Sequence, residues 1–259
     1  MKTPYIGITD FMDSDEVMRA LYMLSRVADG LNRKLMIGVM MSRKTLNDIP
    51  TKWARAFPHK DHIRWIFFQP EEMQLNTLHY ADYDGIEVAK NLEKAVSYGG
   101  QNLHALQLDM IWPEATVIRE FRTKHPHIQI IIQANSVALE QVENNPELLI
   151  AKLKEYGDAI DYVLLDKSMG RGLGMNANAL LPFARAVANN LPKLGIAAAG
   201  GLGPDTLHLV EPLVKEFPDI SIDAQGKLRP SGSALDPIDW NMAKQYLRRA
   251  LEMFKKYKQ

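Results

Sequence analysis

Short continuous apolar runs alternate along this chain with longer stretches whose apolar residues recur at helical spacing. Runs of the first kind suit strands covered on both faces, and stretches of the second suit helices that bury one side. The first pair is Tyr5-Ile6-Gly7-Ile8-Thr9 followed by Val17, Leu21, Leu24 and Ala28 ahead of Gly30, with Asp13 and Glu16 at capping-box spacing. Leu35 to Met41 opens a second unit. Between Ser42 and Asp84 two runs compete for the third strand. Thr77 to Asp82 is favoured, because it leads into a helix over Ile86 to Tyr98, whereas His62 to Phe68 runs into the polar Gln69-Pro70-Glu71-Glu72 and reads as an extra strand or part of a long loop.

From there the alternation is regular. Strand Leu103 to Leu108 precedes helix Glu114 to Thr123, and strand Ile128 to Ala134 precedes a helical stretch broken at Asn144-Asn145-Pro146, where Asn145 caps and Pro146 starts a new helix. Strand Tyr162 to Leu165, helix Ala177 to Asn189, strand Gly195 to Ala199, helix Pro204 to Glu216, strand Ile220 to Asp223 and helix Pro237 to Lys256 complete the series. Repeated strand–helix units predict a parallel sheet, and this number of them in 259 residues predicts closure into one (β/α)8 barrel, a single TIM-barrel domain over residues 1–259. An open doubly wound sheet is the alternative. Its usual phosphate fingerprint, Gly-x-Gly-x-x-Gly after the first strand, is missing, and the glycine-rich loops come late, where phosphate-binding barrels carry them.

Composition narrows the function classes. Lys plus Arg and Asp plus Glu both total 31, so no net field draws the chain to nucleic acid or to an anionic membrane. There is no cysteine, which removes disulfides, thiolate ligands and a cysteine nucleophile or base. No apolar run is long enough to span a bilayer, and the expected location is cytoplasmic.

The candidate chemistry lies at the strand ends. In Ala199-Gly200-Gly201-Leu202-Gly203-Pro204-Asp205-Thr206, small residues leave backbone N–H groups open to an anion, and the expected helix from Pro204 would aim its N-terminus there. The next strand ends Asp223-Ala224-Gln225-Gly226-Lys227, so a second glycine turn and one positive charge are expected beside the first. Asp223 points either into the mouth or outward, according to register. Asp166, where the apolar sixth strand meets a stretch carrying Gly172 and Gly174, is the candidate general acid, since partial burial raises a carboxyl pKa.

These segments resemble the phosphoribosylanthranilate isomerase family. Ala199-Gly200-Gly201-Leu202-Gly203-Pro204-Asp205-Thr206 is similar to its phosphate loop, and Leu164-Leu165-Asp166 with the following Gly-x-Gly is similar to its Leu-Leu-Asp segment. Leu106-Gln107-Leu108-Asp109 is similar to its Val-Gln-Leu-His, Gly7-Ile8-Thr9 to the end of its Lys-Ile-Cys-Gly-Ile-Thr, and Ser42-Arg43 to its Ser-Pro-Arg. The resemblance implies a cofactor-free isomerase or lyase acting on a small phosphorylated sugar or sugar-amine. Asp166 would protonate the ribose ring oxygen in an Amadori rearrangement. Gly172, Gly174, Gly200, Gly201, Gly226 and Lys227 would hold the phosphate. Arg43, Gln107 and Asp223 would contact the rest of the substrate, Arg43 through a carboxylate.

Two departures stand out. Ile6 occupies the place of the family's cysteine base, and Asp109 replaces its histidine. Asp10, His79 and Asp109 are the available substitutes for the base. A non-catalytic phosphometabolite binder and a metal-assisted barrel enzyme built on His79 and Asp109 are the other readings.

Overall fold

The computed structural model describes residues 2–25, 32–67, 72–166 and 174–258. Eight parallel strands close into a barrel in sequence order: β1 (Tyr5–Thr9), β2 (Lys34–Ser42), β3 (Gln74–Ala81), β4 (Ala105–Asp109), β5 (Gln129–Asn135), β6 (Tyr162–Asp166), β7 (Gly195–Ala198) and β8 (Ser221–Ala224). Pairing of β1 with β8, which sets Gly7 opposite Asp223, completes the ring and excludes the open sheet. The fold is the (β/α)8 barrel that the alternation predicts.

The described helices are α1 (Ser14–Ser25), α2 (Arg43–Leu46), α3 (Ile63–Ile66), α4 (Val88–Gly99), α5 (Ala115–Lys124), α6 (Ser136–Gln141), α7 (Pro146–Lys154), α8 (Ala177–Asn190), α9 (Glu211–Glu216) and α10 (Trp240–Tyr257). Local chemistry sets their ends. Asp13 Oδ1 accepts from the Glu16 N–H at 2.9 Å at the start of α1, and Asn145 accepts from Glu147 and Leu148 before Pro146 at the start of α7. Asp239 caps α10 in the same way, so that helix begins after the expected Pro237.

Two expectations need correction. Of the runs competing for the third strand, the favoured one is the strand, but part of the other winds into α3, and its described residues form no extra strand. The helix expected from Pro204 is absent at that point. Residues 204–206 form a turn, Leu207–Val210 a 3-10 helix, and α9 starts only at Glu211. Pro212 explains the delay, because a proline lacks the N–H and clashes with the carbonyl four residues back, so it is best accommodated in the first helical turn.

Side chains alternate across the wall. Ile6, Ile8, Leu35, Ile37, Leu106, Leu108, Ile130, Ile132, Val163 and Leu165 join the outer core under the helices, while Tyr5, Met36, Leu75, Ala105, Ile131, Tyr162, Leu164, Ala197 and Ala199 fill the interior. Tyr5 and Tyr162 plug that interior edge to face, their centroids 5.5 Å apart. Toward the C-terminal strand ends the inward positions turn polar: Thr9, His79, Gln107, Gln133 and Asp223 are all buried. Polar residues inside an apolar barrel carry a desolvation cost, and here they surround the mouth.

Candidate functional site

A cavity of about 1140 Å³ opens at this mouth. His79, Gln107, Asp109, Gln133, Asp166 and Asp223 contribute to its wall, Gly200, Gly201, Gly226 and Lys227 to one side, and Arg43, Lys44, Lys52 and Trp53 to the rim. Of the candidates read from the sequence, Asp10 does not line it, Gly174 does not, and Gly172 lies outside the described residues.

The two glycine turns adjoin. A Cβ on Gly203 would stand 2.5 Å from the backbone oxygen of Lys227, so the loops after β7 and β8 are in contact only because that position has no side chain. Gly200 and Gly201 take φ of 110° and 65°, which turns the chain sharply at the end of β7. Among the described residues, no hydrogen bond takes up the N–H of Gly200, Gly201 or Gly226. With α9 starting late, the helix dipole is not aimed at this turn, and the open amides with Lys227 are what remains to attract an anion. Thr206 Oγ1 donates to the Gly201 carbonyl at 2.6 Å, and Arg249 on α10 donates to the Pro204 carbonyl at 2.5 Å and to Asp205 at 3.1 Å.

The carboxylates divide by partner. Asp10 is 3% exposed; Arg229 donates to its Oδ2 at 2.6 Å and Gln225 to its Oδ1 at 3.1 Å. Burial pushes its carboxyl up, and Arg229 and Gln225 oppose that shift without cancelling it. Arg229 also donates to the carbonyls of Gln225 and Asp236, so the pair ties the segment after β8 to the end of β1.

Asp223 faces inward, which the closing register decides. Its carboxylate oxygens both lie 3.1 Å from Thr9 Oγ1, and burial raises its pKa to about 7, with Asp10 and Asp166 adding to the shift and His79 and Thr9 opposing it. Asp166 is half-buried at the end of β6, opposite Asn135. Ile6 belongs to the outer layer, and the inward residues of β1 are Tyr5, Gly7 and Thr9.

His79 and Asp109 form a second group. Asp109 Oδ2 lies 3.7 Å from His79 Nε2, longer than a hydrogen bond, and Tyr83 donates to Asp109 Oδ1 at 2.5 Å while accepting from Asn135 at 3.1 Å. Burial disfavours the imidazolium, yet Asp109, Asp223 and Asp10 outweigh it and raise the His79 pKa. Burial likewise pushes Asp109 up, and His79, Tyr83 and Asn135 bring it below the usual carboxylate range. Among the described residues no third acidic or histidine side chain joins these two in a group able to hold a metal.

Arg43 is engaged. Its Nε and Nη2 reach Asp84 Oδ2 at 2.9 and 2.5 Å, and Asp82 lies 3.8 Å away, so a ligand carboxylate there would compete with Asp84. Gln133, Tyr83, Asn135 and Arg229 were not among the residues expected here, and Trp53, expected to serve packing alone, lines the cavity. Gln133 carried a signal, as a polar residue within the apolar run of β5; Trp53, stacked on Phe57 at 5.6 Å, carried none.

No family model matches the chain, and no curated protein matches it. Solved structures do. A phosphoribosyl anthranilate isomerase in complex with reduced 1-(o-carboxyphenylamino)-1-deoxyribulose 5-phosphate is similar at 14% identity and TM-score 0.60, over 95% of this chain and 98% of that one. The phosphoribosyl anthranilate isomerase from Thermus thermophilus gives 14% and 0.58 over 97% and 98%, and the YdjI aldolase from Escherichia coli K12 gives 11% and 0.52 over 99% and 92%. At these identities the likeness is one of fold. None of the described helices is long and apolar enough to cross a membrane.

Proposed function

We propose that the cavity binds a small phosphorylated sugar or sugar-amine and isomerises or cleaves it by acid–base chemistry. One observation carries the reading: two touching glycine turns with unclaimed amides open on the same cavity as two inward carboxylates, Asp166 and Asp223. The amides of Gly200, Gly201 and Gly226, with Lys227 beside them, take the phosphate. The carbon skeleton then lies across the wall between β3 and β6.

Proton transfer follows from the carboxylates. A group whose pKa sits near the working pH both accepts and donates readily, and Asp223 at about 7 is in that range. Asp223 takes the proton from the carbon next to the substrate's carbonyl or imine, and Asp166 delivers a proton to the ring oxygen as the ring opens. The isomerase complexed with a phosphorylated ligand, similar in fold over nearly the whole chain, favours this class of substrate. Asp10 is assigned to positioning, because Arg229 and Gln225 already occupy its carboxylate.

Inorganic phosphate soaked into crystals tests the binding half. Density bridging Gly201 and Gly226 is expected. Phosphate found elsewhere, with that pocket unfilled, removes the proposal.

A further inference from the structure

We infer that the cavity wall formed by β3, β4 and β5 is a subsite for a polyhydroxylated carbon chain, which makes the substrate a sugar phosphate with free hydroxyls and not an N-aryl derivative. This rests on the phosphate reading above and names the rest of the molecule.

Three side chains carry it. Gln107 Oε1 and Gln133 Oε1 have no hydrogen-bond partner among the described residues, and His79 Nε2 has only the Asp109 carboxylate, 3.7 Å away and beyond hydrogen-bond distance; the three residues are 0%, 7% and 7% exposed. They stand on neighbouring strands and face one cavity. A single buried polar atom without a partner is costly, and three on one wall are the mark of a ligand surface.

The chemistry of these atoms selects the ligand. Gln107 Nε2 lies 3.2 Å from His79 Nδ1. Turning the amide together with placing the proton on Nδ1 of the imidazole changes which Gln107 atom is paired and leaves the other open. The wall therefore offers both donors and acceptors. A hydroxyl gives one hydrogen bond and receives others, so it meets either arrangement. An aryl ring or alkyl chain would bury all three atoms unpaired.

Titration calorimetry on the whole chain tests this with ribitol 5-phosphate, n-pentyl phosphate, benzyl phosphate and ribitol. Ribitol 5-phosphate is expected to bind at least about tenfold tighter than the pentyl and benzyl phosphates, because a site built for hydroxyls rejects analogues lacking them. Gln133→Leu is expected to erase most of that preference while leaving inorganic phosphate affinity unchanged. If Gln133→Leu fails to fold, Gln107→Leu carries the same comparison, and the ligand ranking on the native chain decides alone. Pentyl or benzyl phosphate binding as tightly as ribitol 5-phosphate overturns the subsite and leaves the phosphate reading standing. Ribitol binding as tightly as its phosphate, with the same loss in Gln133→Leu, sinks the phosphate reading and keeps the subsite. Binding by none of the four removes both.

Discussion

Asp223 fills the space that a side chain on Gly7 would need: a Cβ there would lie 2.6 Å from Asp223 Oδ1 and 2.8 Å from Met36 Cε. Both neighbours are side-chain ends, so Gly7→Ala is accommodated by moving the carboxylate away from Thr9. The expected stability loss is about 1–3 kcal/mol, as for other overpacked interiors. The carboxyl carbon resonance of Asp223, followed by NMR, should titrate at a different pH in the variant. An unchanged titration curve would show that the carboxylate does not lean on Gly7.

The same carboxylate makes stability depend on pH. With a folded pKa of about 7 against about 3.9 for a free aspartate, the native state holds a proton that the unfolded chain releases between those values. The contribution of Asp223 to stability therefore falls as pH rises from about 4 to 7 and stays low above that. Asp223→Asn keeps an acceptor for Thr9 and removes the titration. It should match the native chain near pH 4 and exceed it by on the order of 2–4 kcal/mol at pH 8 in urea unfolding. Parallel curves across that range would contradict the raised pKa.

Asp10 and Arg229 form a buried pair, their side chains 2% and 1% exposed. Asp10→Ala leaves the guanidinium buried without its counter-charge, and the expected cost is about 3–5 kcal/mol. Asp10 also holds φ of 94°, so Asp10→Gly relieves backbone strain and should cost less than Asp10→Ala. Combining Asp10→Ala with Arg229→Met should recover part of the loss. Urea unfolding of five proteins, the native chain, Asp10→Ala, Asp10→Gly, Arg229→Met and the double variant, checks the order, and an additive double variant would show the pair to be uncoupled.

Much of the barrel was legible because strand and helix periods differ, and the runs at Leu35 to Met41 and Ile128 to Ala134 stand out against their neighbours. The side on which Asp223 lies was not legible, since it depends on how β8 closes onto β1, a pairing between residues more than two hundred positions apart. The partner of Asp10 was hidden for the same reason, as Arg229 lies 219 positions away. The expected helix at Pro204 failed for a local cause, visible in hindsight at Pro212. Ile6 is a subtler case. It stands where the motif resemblance puts the family's base, but its strand turns that position outward, so the mouth depends on Gly7 and on what fills the space beside it.

Asp166→Asn separates chemistry from binding. If Asp166 donates the proton, turnover of the accepted sugar phosphate should drop by about 10²–10⁴, the usual range for a general acid. Phosphate affinity should stay within about twofold, since the amides of Gly200 and Gly226 are untouched. Steady-state kinetics and a phosphate titration on the same preparation check both. Undiminished turnover would take Asp166 out of the reaction.

The turn at Gly200 and Gly201 hangs from the last helix of the chain. Thr206 braces Gly201 from within the loop, and Arg249 on α10 grips the carbonyl of Pro204 from outside the barrel. Rigidity of the glycine turn is thereby delegated to the periphery, and if the proposed phosphate binds there, clipping or loosening the C-terminal segment should slacken its grip without any residue of the mouth being altered.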